Sequence, residues 1–190
     1  YDYRAYYSRI LLQRYWQRRR YSIIKSMISC VKGAILDIGC GSSKIALDFG
    51  AIGLDTALNK LRFNTRFNKK MVQGSVVDLP FKDNSFNAVI CSEVIGYLPE
   101  NNKIFFELRR VLMDNGILIL GTADYGSWQW PLIEFFYSRV VSGGYAHRHI
   151  TRYKKHSLIK LIKETGFTLL DEKSILGAET ILKFKSNKKL

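Results

Sequence analysis

The sequence predicts a single α/β domain built on a doubly wound, mostly parallel sheet. Residues 34–43 contain a short apolar run that ends in Asp37 and Ile38 and is followed by two glycines at alternate positions, Gly39 and Gly41. Residues 51–55 form a second apolar run, which ends in Asp55. This order is typical of a strand, a tight turn, a short helix and a second strand. With 190 residues, 47% of them hydrophobic, the chain fits one globular domain with an ample core.

Residues 1–31 are predicted to form one long helical extension, because they contain no glycine or proline and carry an apolar stripe. The first half of this extension interleaves aromatic and basic side chains, which suits either a nucleic-acid strand or the surface of a membrane. The alternative is a helix that lies over the sheet and covers a cofactor site. The stripe consists of Ile23, Ile24, Met27, Ile28 and Val31, and the mixed half contains Tyr3, Tyr6, Tyr7, Arg9, Arg14, Tyr15, Trp16, Arg18, Arg19, Arg20 and Tyr21.

The formal net charge of +14 is concentrated at the two ends of the chain. Residues 1–32 and residues 147–190 each carry a net charge of +7, whereas residues 33–146 are neutral. Basic ends around a neutral centre indicate an anionic partner such as a phosphorylated metabolite, an anionic lipid surface or RNA. The alternative is a general contribution to solubility.

Compartment and metal content can also be predicted. No apolar run approaches the length of about 20 residues that spans a bilayer. The three cysteines form no C-x-x-C pair, so we expect reduced thiols and a cytoplasmic protein, peripheral to a membrane at most. His147 and His149 have no third ligand nearby in the sequence, so no metal site is expected. The chain begins at Tyr1, and we expect the natural protein to have residues before it.

The glycine turn after the first strand carries the main chemical signal. Gly39 and Gly41 allow the backbone to turn sharply and to approach a ligand closely. Asp55, at the end of the next strand, can accept hydrogen bonds from both hydroxyls of a ribose. The dinucleotide fingerprint G-x-G-x-x-G would need a small residue at Lys44, so a nicotinamide cofactor is not favoured. The pattern Asp37-x-Gly39-x-Gly41-x-Ser43 resembles motif I of the class I S-adenosylmethionine-dependent methyltransferases, with Ser43 in place of the third glycine.

Three further segments resemble the same family, in the family's order. Residues 73–81 resemble its adenine-binding element, with Asp78 followed by Leu-Pro-Phe; the alternative for Asp78 is to cap a loop. Residues 83–99 resemble its fourth motif, although Asn87 replaces a common acid and Gly96 and Tyr97 replace two histidines. Residues 107–116 resemble its E-x-x-R-V-L-x-x-G-G element.

The remaining elements follow in order from their hydrophobic periods. We expect seven strands in the order 3-2-1-4-5-7-6, as the resemblance to this Rossmann-like fold implies. The helices are predicted at residues 42–49, 56–66, 103–113 and 151–165, with a turn at 114–116. The strands are predicted at residues 69–73, 86–91, 117–121, 168–172 and 181–185, the last two forming an antiparallel edge before a solvated basic tail at 186–190.

Residues 124–146 are predicted to form an aromatic helical insert on the substrate side, with a hinge at Gly143-Gly144. Such an insert suits a hydrophobic or flat acceptor and excludes water; alternatively, its rings only pack a helix on the sheet. If the reaction needs a general base, the candidates are Tyr97 and His149.

The resemblance implies a methyltransferase that uses S-adenosylmethionine and is similar to the type 11 or ubiquinone/menaquinone group. Its acceptor would be a small molecule or lipid-linked compound, such as a quinone, sugar or isoprenoid intermediate. Alternatives are an RNA or protein methyltransferase and an inactive cofactor-binding module. A monomer and a homodimer are both left open. The implied cofactor contacts are Asp37, Gly39, Cys40, Gly41, Asp55, Thr56, Val77, Asp78, Leu79, Ser92 and Glu93.

Overall fold

The computed structural model describes residues 3–42, 44–66, 70–140 and 149–188, with the side chains of 136–140 left out. These residues form a seven-stranded sheet flanked by helices. In chain order the elements are α1 (Tyr3–Tyr6), α2 (Leu11–Ile28), β1 (Ile35–Ile38), α3 (Lys44–Asp48), β2 (Ile52–Asp55), α4 (Leu58–Asn64), β3 (Met71–Gln73), β4 (Phe86–Ser92), a 3-10 turn (Ile95–Tyr97), α5 (Lys103–Val111), β5 (Leu112–Ala123), α6 (Gln129–Val140), α7 (Lys155–Glu164), β6 (Phe167–Ile175) and β7 (Glu179–Ser186).

The strand order is β3-β2-β1-β4-β5-β7-β6, which confirms the predicted order. Strands β1 to β5 pair in parallel, and β7 runs antiparallel to both β5 and β6. The carboxyl ends of β1, β2 and β4 therefore meet at one edge of the sheet. Because all four residues of β1 are buried, the strand reads as an apolar run interrupted only by Asp37.

The core lies in two layers, one on each face of the sheet. One layer packs α5 and α7 through Phe105, Leu108 and Ile162, and the other packs α2 through Ile24 and Ile28. The sequence of α5 explains how it packs. Its apolar residues recur on the side that faces the sheet, and Arg109 and Arg110 lie on the other side.

The amino-terminal extension differs from its prediction. It forms two helices, α1 and α2, because the chain turns between residues 7 and 10, where the Ile10 amide donates to Ser8 Oγ at 3.1 Å. The predicted apolar stripe of α2 is buried from Ile23 to Ile28, and α2 packs against β5, β6 and β7. Arg20, which sequence reasoning grouped with the solvent-facing arginines, is also buried.

The carboxyl-terminal tail and the turn at 114–116 also differ from their predictions. Residues 114–116 belong to β5, where Asn115 adopts a φ of 58° and the register against β4 shifts. The expectation of a solvated tail is wrong for residues 186–188, since Ser186 is fully buried and the Lys188 ammonium donates to the Arg110 carbonyl at 3.0 Å. The tail therefore closes the end of the sheet instead of extending into water.

Helix α7 begins at Lys155, later than the predicted 151, because the chain bends at Ile150 and Thr151, whose amides both donate to the Gly96 carbonyl in the 3-10 turn. Ser43, Gly143, Gly144, Tyr145 and His147 lie outside the described residues. Within the described part of the chain, no helix combines the length and the apolar character needed to cross a membrane.

Candidate functional site

The glycine turn after β1 leaves no room for side chains. Gly39 and Gly41 have φ values of +64° and +52°, which only glycine adopts readily. A Cβ atom at Gly39 would lie 2.3 Å from Val94 Cγ2. The turn thus passes tightly under the segment that follows β4.

Two buried side chains fix this turn from opposite sides. Asp55 accepts the Gly41 amide at 2.8 Å on Oδ2 and the Ala57 amide at 2.8 Å on Oδ1. Asn64 on α4 is fully buried and donates to the Gly41 carbonyl at 2.8 Å. Each oxygen of Asp55 keeps a second lone pair, so this carboxylate can accept from a ligand while it holds the turn.

The other residues predicted beside the turn differ in exposure. Asp37 is buried within β1, whereas Thr56 is exposed after β2. Cys40 is fully buried, and a Cβ atom at Gly53 would lie 2.9 Å from its Sγ atom. Burial, together with the carboxylates of Asp37 and Asp55, raises the pKa of the Cys40 thiol, which therefore stays protonated and acts as a small neutral side chain.

The segment predicted to read adenine is clamped by α5. Glu107 accepts the Leu79 amide at 2.8 Å, and Arg110 donates to the carbonyls of Leu79 and Phe81 at 2.9 and 2.7 Å. The Leu79 amide is thus already used and its side chain is in the core, so Leu79 shapes the loop. Val77 is half-buried and Asp78 is exposed. The E-x-x-R element of the sequence accounts for this clamp.

Ser92 and Glu93 lie at the end of β4. Glu93 adopts a φ of +58°, and its amide donates to the Gly121 carbonyl at 2.8 Å. Ser92 is buried, and among the described residues its Oγ atom has no hydrogen-bond partner. We refer to residues 37–41, 55–56, 64 and 77–79 as the cofactor side, and Ser92 and Glu93 stand at its boundary.

The two candidate bases, Tyr97 and His149, are in contact. Their rings are tilted, with centroids 4.6 Å apart. A Cβ atom at Gly96 would lie 2.8 Å from His149 Cδ2, so the glycine leaves the space that the imidazole fills. The segment that carries His149 is held in place because the Ile150 amide donates to the Gly96 carbonyl at 2.7 Å. A histidine from elsewhere in the chain therefore occupies the region where the family's two histidines are missing.

The hydrogen-bond partners of His149 are compatible with two tautomers. The Tyr125 hydroxyl lies 3.0 Å from His149 Nδ1 and 3.2 Å from Glu134 Oε1. In one tautomer, Tyr125 donates its one proton to the Glu134 carboxylate and accepts from Nδ1–H of the histidine. In the neutral ring this leaves the Nε2 atom with a free lone pair, 3.8 Å from Glu93 Oε2. His149 can therefore accept a proton beside a carboxylate.

A buried ion pair lies behind Glu93. Arg20 donates through Nε to Glu179 Oε1 at 2.6 Å and through Nη2 to Oε2 at 2.5 Å, and Trp16 donates to the same carboxylate. The Nη2 atom of Arg20 is also 3.8 Å from Glu93 Oε1. One guanidinium near the start of the chain therefore contacts two carboxylates, Glu93 from the middle of the chain and Glu179 from near its end.

The buried charges around Glu93 affect the two candidate bases, Tyr97 and His149, differently. Burial would raise the pKa of Glu93, but the charge of Arg20 lowers it, as do the hydrogen bond and charge that the protonated ring of His149 supplies, and the net shift is downward. Burial, together with the Glu93 carboxylate, raises the pKa of the Tyr97 hydroxyl, so this group stays protonated near neutral pH and does not act as a phenolate base. Burial also raises the pKa of Glu179. The charge of Arg20 lowers this pKa and the charge of Glu93 raises it, and the net shift is upward. The geometry therefore favours His149 over Tyr97 as a proton acceptor.

Sequence reasoning missed several residues of the site. Arg20 carried a usable signal, because it lies four residues after Trp16 and three before Ile23, on the stripe that faces the core. Tyr125 and Trp130 belonged to the predicted aromatic insert without an assigned role. Asn64 and Glu179 had no sequence signal. We refer to Trp16, Arg20, Tyr97, Tyr125, Trp130, His149 and Glu179 as the acceptor side.

Across residues 3–42, 44–66, 70–140 and 149–188, no three His, Cys, Asp or Glu side chains are gathered so that they could hold a metal ion.

The chain is similar to known proteins in both sequence and fold. Residues 36–120 match the methyltransferase domain family. An uncharacterized protein of Methanocaldococcus jannaschii, MJ1123, is 28% identical over 174 residues, covering 88% of this chain and 80% of that protein. The sterol 24-C-methyltransferase of Schizosaccharomyces pombe is 24% identical over 73% of this chain, which spans only 40% of that enzyme. The crystal structure of a SAM-dependent methyltransferase from Thermotoga maritima has a TM-score of 0.71 at 19% identity, covering 93% of this chain and 94% of that one.

Proposed function

We propose that this chain is a class I S-adenosylmethionine-dependent methyltransferase that methylates a small-molecule or lipid-linked acceptor, with His149 as the general base. The observation that carries this proposal is the position of His149. Its ring lies among the aromatic rings of Tyr97, Tyr125 and Trp130, with Glu93 beside it at the end of β4.

The cofactor side fits the methyl donor. Asp55, which holds the glycine turn through the Gly41 amide, keeps a lone pair on each oxygen for the two ribose hydroxyls. We propose that Asp37 faces the ammonium group of the cofactor and that Val77 and Asp78 contact its adenine. Ser92 and Glu93 would lie beside its methionine portion. When bound, the cofactor supplies an electrophilic methyl group on a positively charged sulfur.

The chain's own residues then position the acceptor and receive its proton. The aromatic rings hold the acceptor and exclude water, which favours transfer in line with the S–CH₃ bond. The acceptor's proton passes to His149 Nε2 in the Nδ1–H tautomer, in which Tyr125 donates to Glu134. The Glu93 carboxylate, 3.8 Å away, stabilises the imidazolium that forms.

An apolar acceptor is favoured by the composition of the acceptor side, in which the side chains next to His149 are rings. The sterol methyltransferase among the relatives is an enzyme whose acceptor is a lipid. The basic residues of α2 favour the alternative of an RNA acceptor. A module that binds the cofactor without turnover is the third candidate.

The test combines binding and turnover. Calorimetry should show micromolar binding of S-adenosylmethionine and its homocysteine product. Labelled methyl groups should then be transferred to one member of a panel of quinols, isoprenoid compounds and sugars, but not to total RNA. His149→Gln should lower kcat by about 100-fold or more, the usual contribution of a general base, while the cofactor Kd stays within about twofold of wild type.

His156→Gln is the matched control, because His156 is an exposed histidine on α7. It should leave kcat unchanged. Transfer to RNA alone would replace the proposed acceptor class, and tight cofactor binding with no acceptor methylated would favour the inactive module. Full activity of His149→Gln would remove the general-base role.

A further inference from the structure

We propose that the starts of α2 and α6 form a docking surface for an anionic lipid bilayer, next to the acceptor side. Helices α2 and α6 meet where the rings of Trp16 and Trp130 pack edge to face, with centroids 6.4 Å apart. We call the exposed surface around this contact the tryptophan seam. It comprises Ile10, Leu11, Leu12, Tyr15, Trp128 and Leu132, together with Arg9, Arg18 and Arg19.

The α2 part of the seam exposes large apolar side chains. Leu11 is 69% exposed, Leu12 44% and Tyr15 47%, although Trp16 beside them is buried. Leu11 and Tyr15 are four residues apart, and Leu12 and Tyr15 are three apart, so they share the side of the helix that faces away from the core. The first turns of α2 therefore have two apolar sides, one packed on the protein and one in contact with solvent.

The α6 part of the seam repeats this arrangement. Trp128, just before α6, is 73% exposed, and Leu132 is 48% exposed. Trp130 lies between them in sequence but is buried. Two helix starts with exposed apolar side chains thus adjoin at one contact, which is the kind of grouped apolar surface that marks a binding site.

The charge of the seam identifies its partner. Residues 3–33 contain no acidic residue. Arg18 and Arg19 are exposed one turn after Tyr15, and Arg9 is exposed just before α2. Basic residues beside exposed apolar side chains are typical of helices that lie in a lipid interface, where each cation near an anionic surface contributes about 1 kcal/mol.

The same arginines would also attract RNA, but the apolar side chains favour lipid. Leu11, Leu12 and Leu132 are aliphatic, so they cannot stack on bases, whereas they gain free energy when they leave water for hydrocarbon. A bilayer therefore uses the basic, aromatic and aliphatic residues of the seam, whereas an RNA strand could stack on Tyr15 and Trp128 but would leave the aliphatic residues unused.

The position of the seam links it to the proposed acceptor. Trp130, which forms its floor, also contacts His149, with ring centroids 5.8 Å apart. A bilayer on the seam would therefore present lipid-linked molecules to the acceptor side. This link rests on the proposed function, but binding to the bilayer can be measured without turnover.

The experiment is vesicle flotation of the full chain with phosphatidylcholine vesicles, with and without about one third phosphatidylglycerol. Wild-type protein should float with the anionic vesicles and far less with the neutral ones. Leu11→Ser combined with Trp128→Ser should lower the partition coefficient at least about tenfold, since two exposed apolar anchors are lost. Leu170→Ser combined with Leu176→Ser is the matched control, because these residues are 49% and 50% exposed on the β6 edge and its turn.

Failure of wild-type protein to float with anionic vesicles would overturn the inference, and so would equal losses in the test and control variants. Binding of a single-stranded polyuridine probe that is weakened by the same seam variant, with no flotation, would replace lipid with RNA. Methylation of a water-soluble acceptor by protein that does not float would overturn only the docking surface. Flotation without transfer to any lipid-linked acceptor would overturn only the proposed acceptor.

Discussion

The cofactor side and the acceptor side are held by contacts of very different sequence separation. On the cofactor side, Gly41 is bound by Asp55 and Asn64, which are 14 and 23 residues away. On the acceptor side, Trp16 and Arg20 bind Glu179, 163 and 159 residues away. The glycine turn of the cofactor side is therefore held by residues close to it in sequence, whereas the acceptor side exists only after the two ends of the chain have packed together.

The largest expected effect comes from breaking the long-range pair. Arg20→Met removes the cation that neutralises Glu179 and should lower the free energy of unfolding by about 3–5 kcal/mol, the usual cost of leaving a buried charge without its partner. Urea denaturation followed by tryptophan fluorescence measures this, because Trp16 and Trp130 are part of the same cluster. Arg19→Met, at an exposed neighbouring position, should change stability by less than about 0.5 kcal/mol.

The double variant Arg20→Met, Glu179→Leu tests whether the unpaired Glu179 charge causes this loss of stability. It removes both charges, so it should recover most of the stability lost in Arg20→Met. Equal stability of Arg20→Met and wild type would mean that the acceptor side does not depend on this pair.

The second prediction concerns the cofactor side. Asp55→Ala removes a buried carboxylate that holds the glycine turn and faces the proposed ribose position, and it should weaken S-adenosylmethionine binding about tenfold or more. Calorimetry measures the dissociation constant. Asp171→Ala, a carboxylate on the edge strand β6, is the control and should bind like wild type. An unchanged Kd for Asp55→Ala would remove Asp55 from the cofactor site.

The smallest effect is expected at the α5 clamp and depends on pH. Hydrogen bonds from Arg110 and from the Leu79 amide lower the pKa of Glu107, although partial burial opposes the shift. A lowered carboxyl pKa stabilises the fold above the unfolded-state pKa of about 4.3, and this stability is lost as the pH falls through the lower folded-state pKa. Glu107→Gln should therefore be less stable than wild type at pH 7, by about 1 kcal/mol, and the difference should disappear in strong acid.

Thermal unfolding of both proteins between pH 7 and pH 2 checks this expectation. Glu164→Gln, at an exposed position on α7, should follow wild type throughout. A Glu107→Gln deficit that is the same at every pH would show that the carboxylate charge does not stabilise the loop.

The two sides also differ in how well sequence predicted them. The apolar runs ending at Asp37 and Asp55 placed two strands and the turn between them, because fully buried parallel strands need continuous apolar residues. Resemblance supplied the strand order, which the structure confirms. The roles of the predicted site residues remain predictions.

The acceptor side was only partly predictable. Arg20 lies in a run of three arginines; its spacing to Trp16 and Ile23 places it on the buried stripe, but its partner Glu179 is far away in sequence and has no signal there. The chain turn between α1 and α2 has no glycine or proline to announce it. His149 was named as a candidate base, but its contact with Gly96 depends on a loop that returns over the 3-10 turn. Such contacts follow from tertiary packing, which periodicity does not encode.

The glycine at position 96 has a consequence for how relatives of this chain can vary. The His149 ring occupies the space that a side chain at position 96 would need. Any larger residue at position 96 would therefore displace the imidazole. A relative with a side chain at position 96 must therefore have a smaller residue at position 149. Alternatively, a histidine at position 96 could supply the imidazole in place of His149. Aligned relatives should therefore show the two positions changing together, as a single inherited choice between two ways of supplying one imidazole.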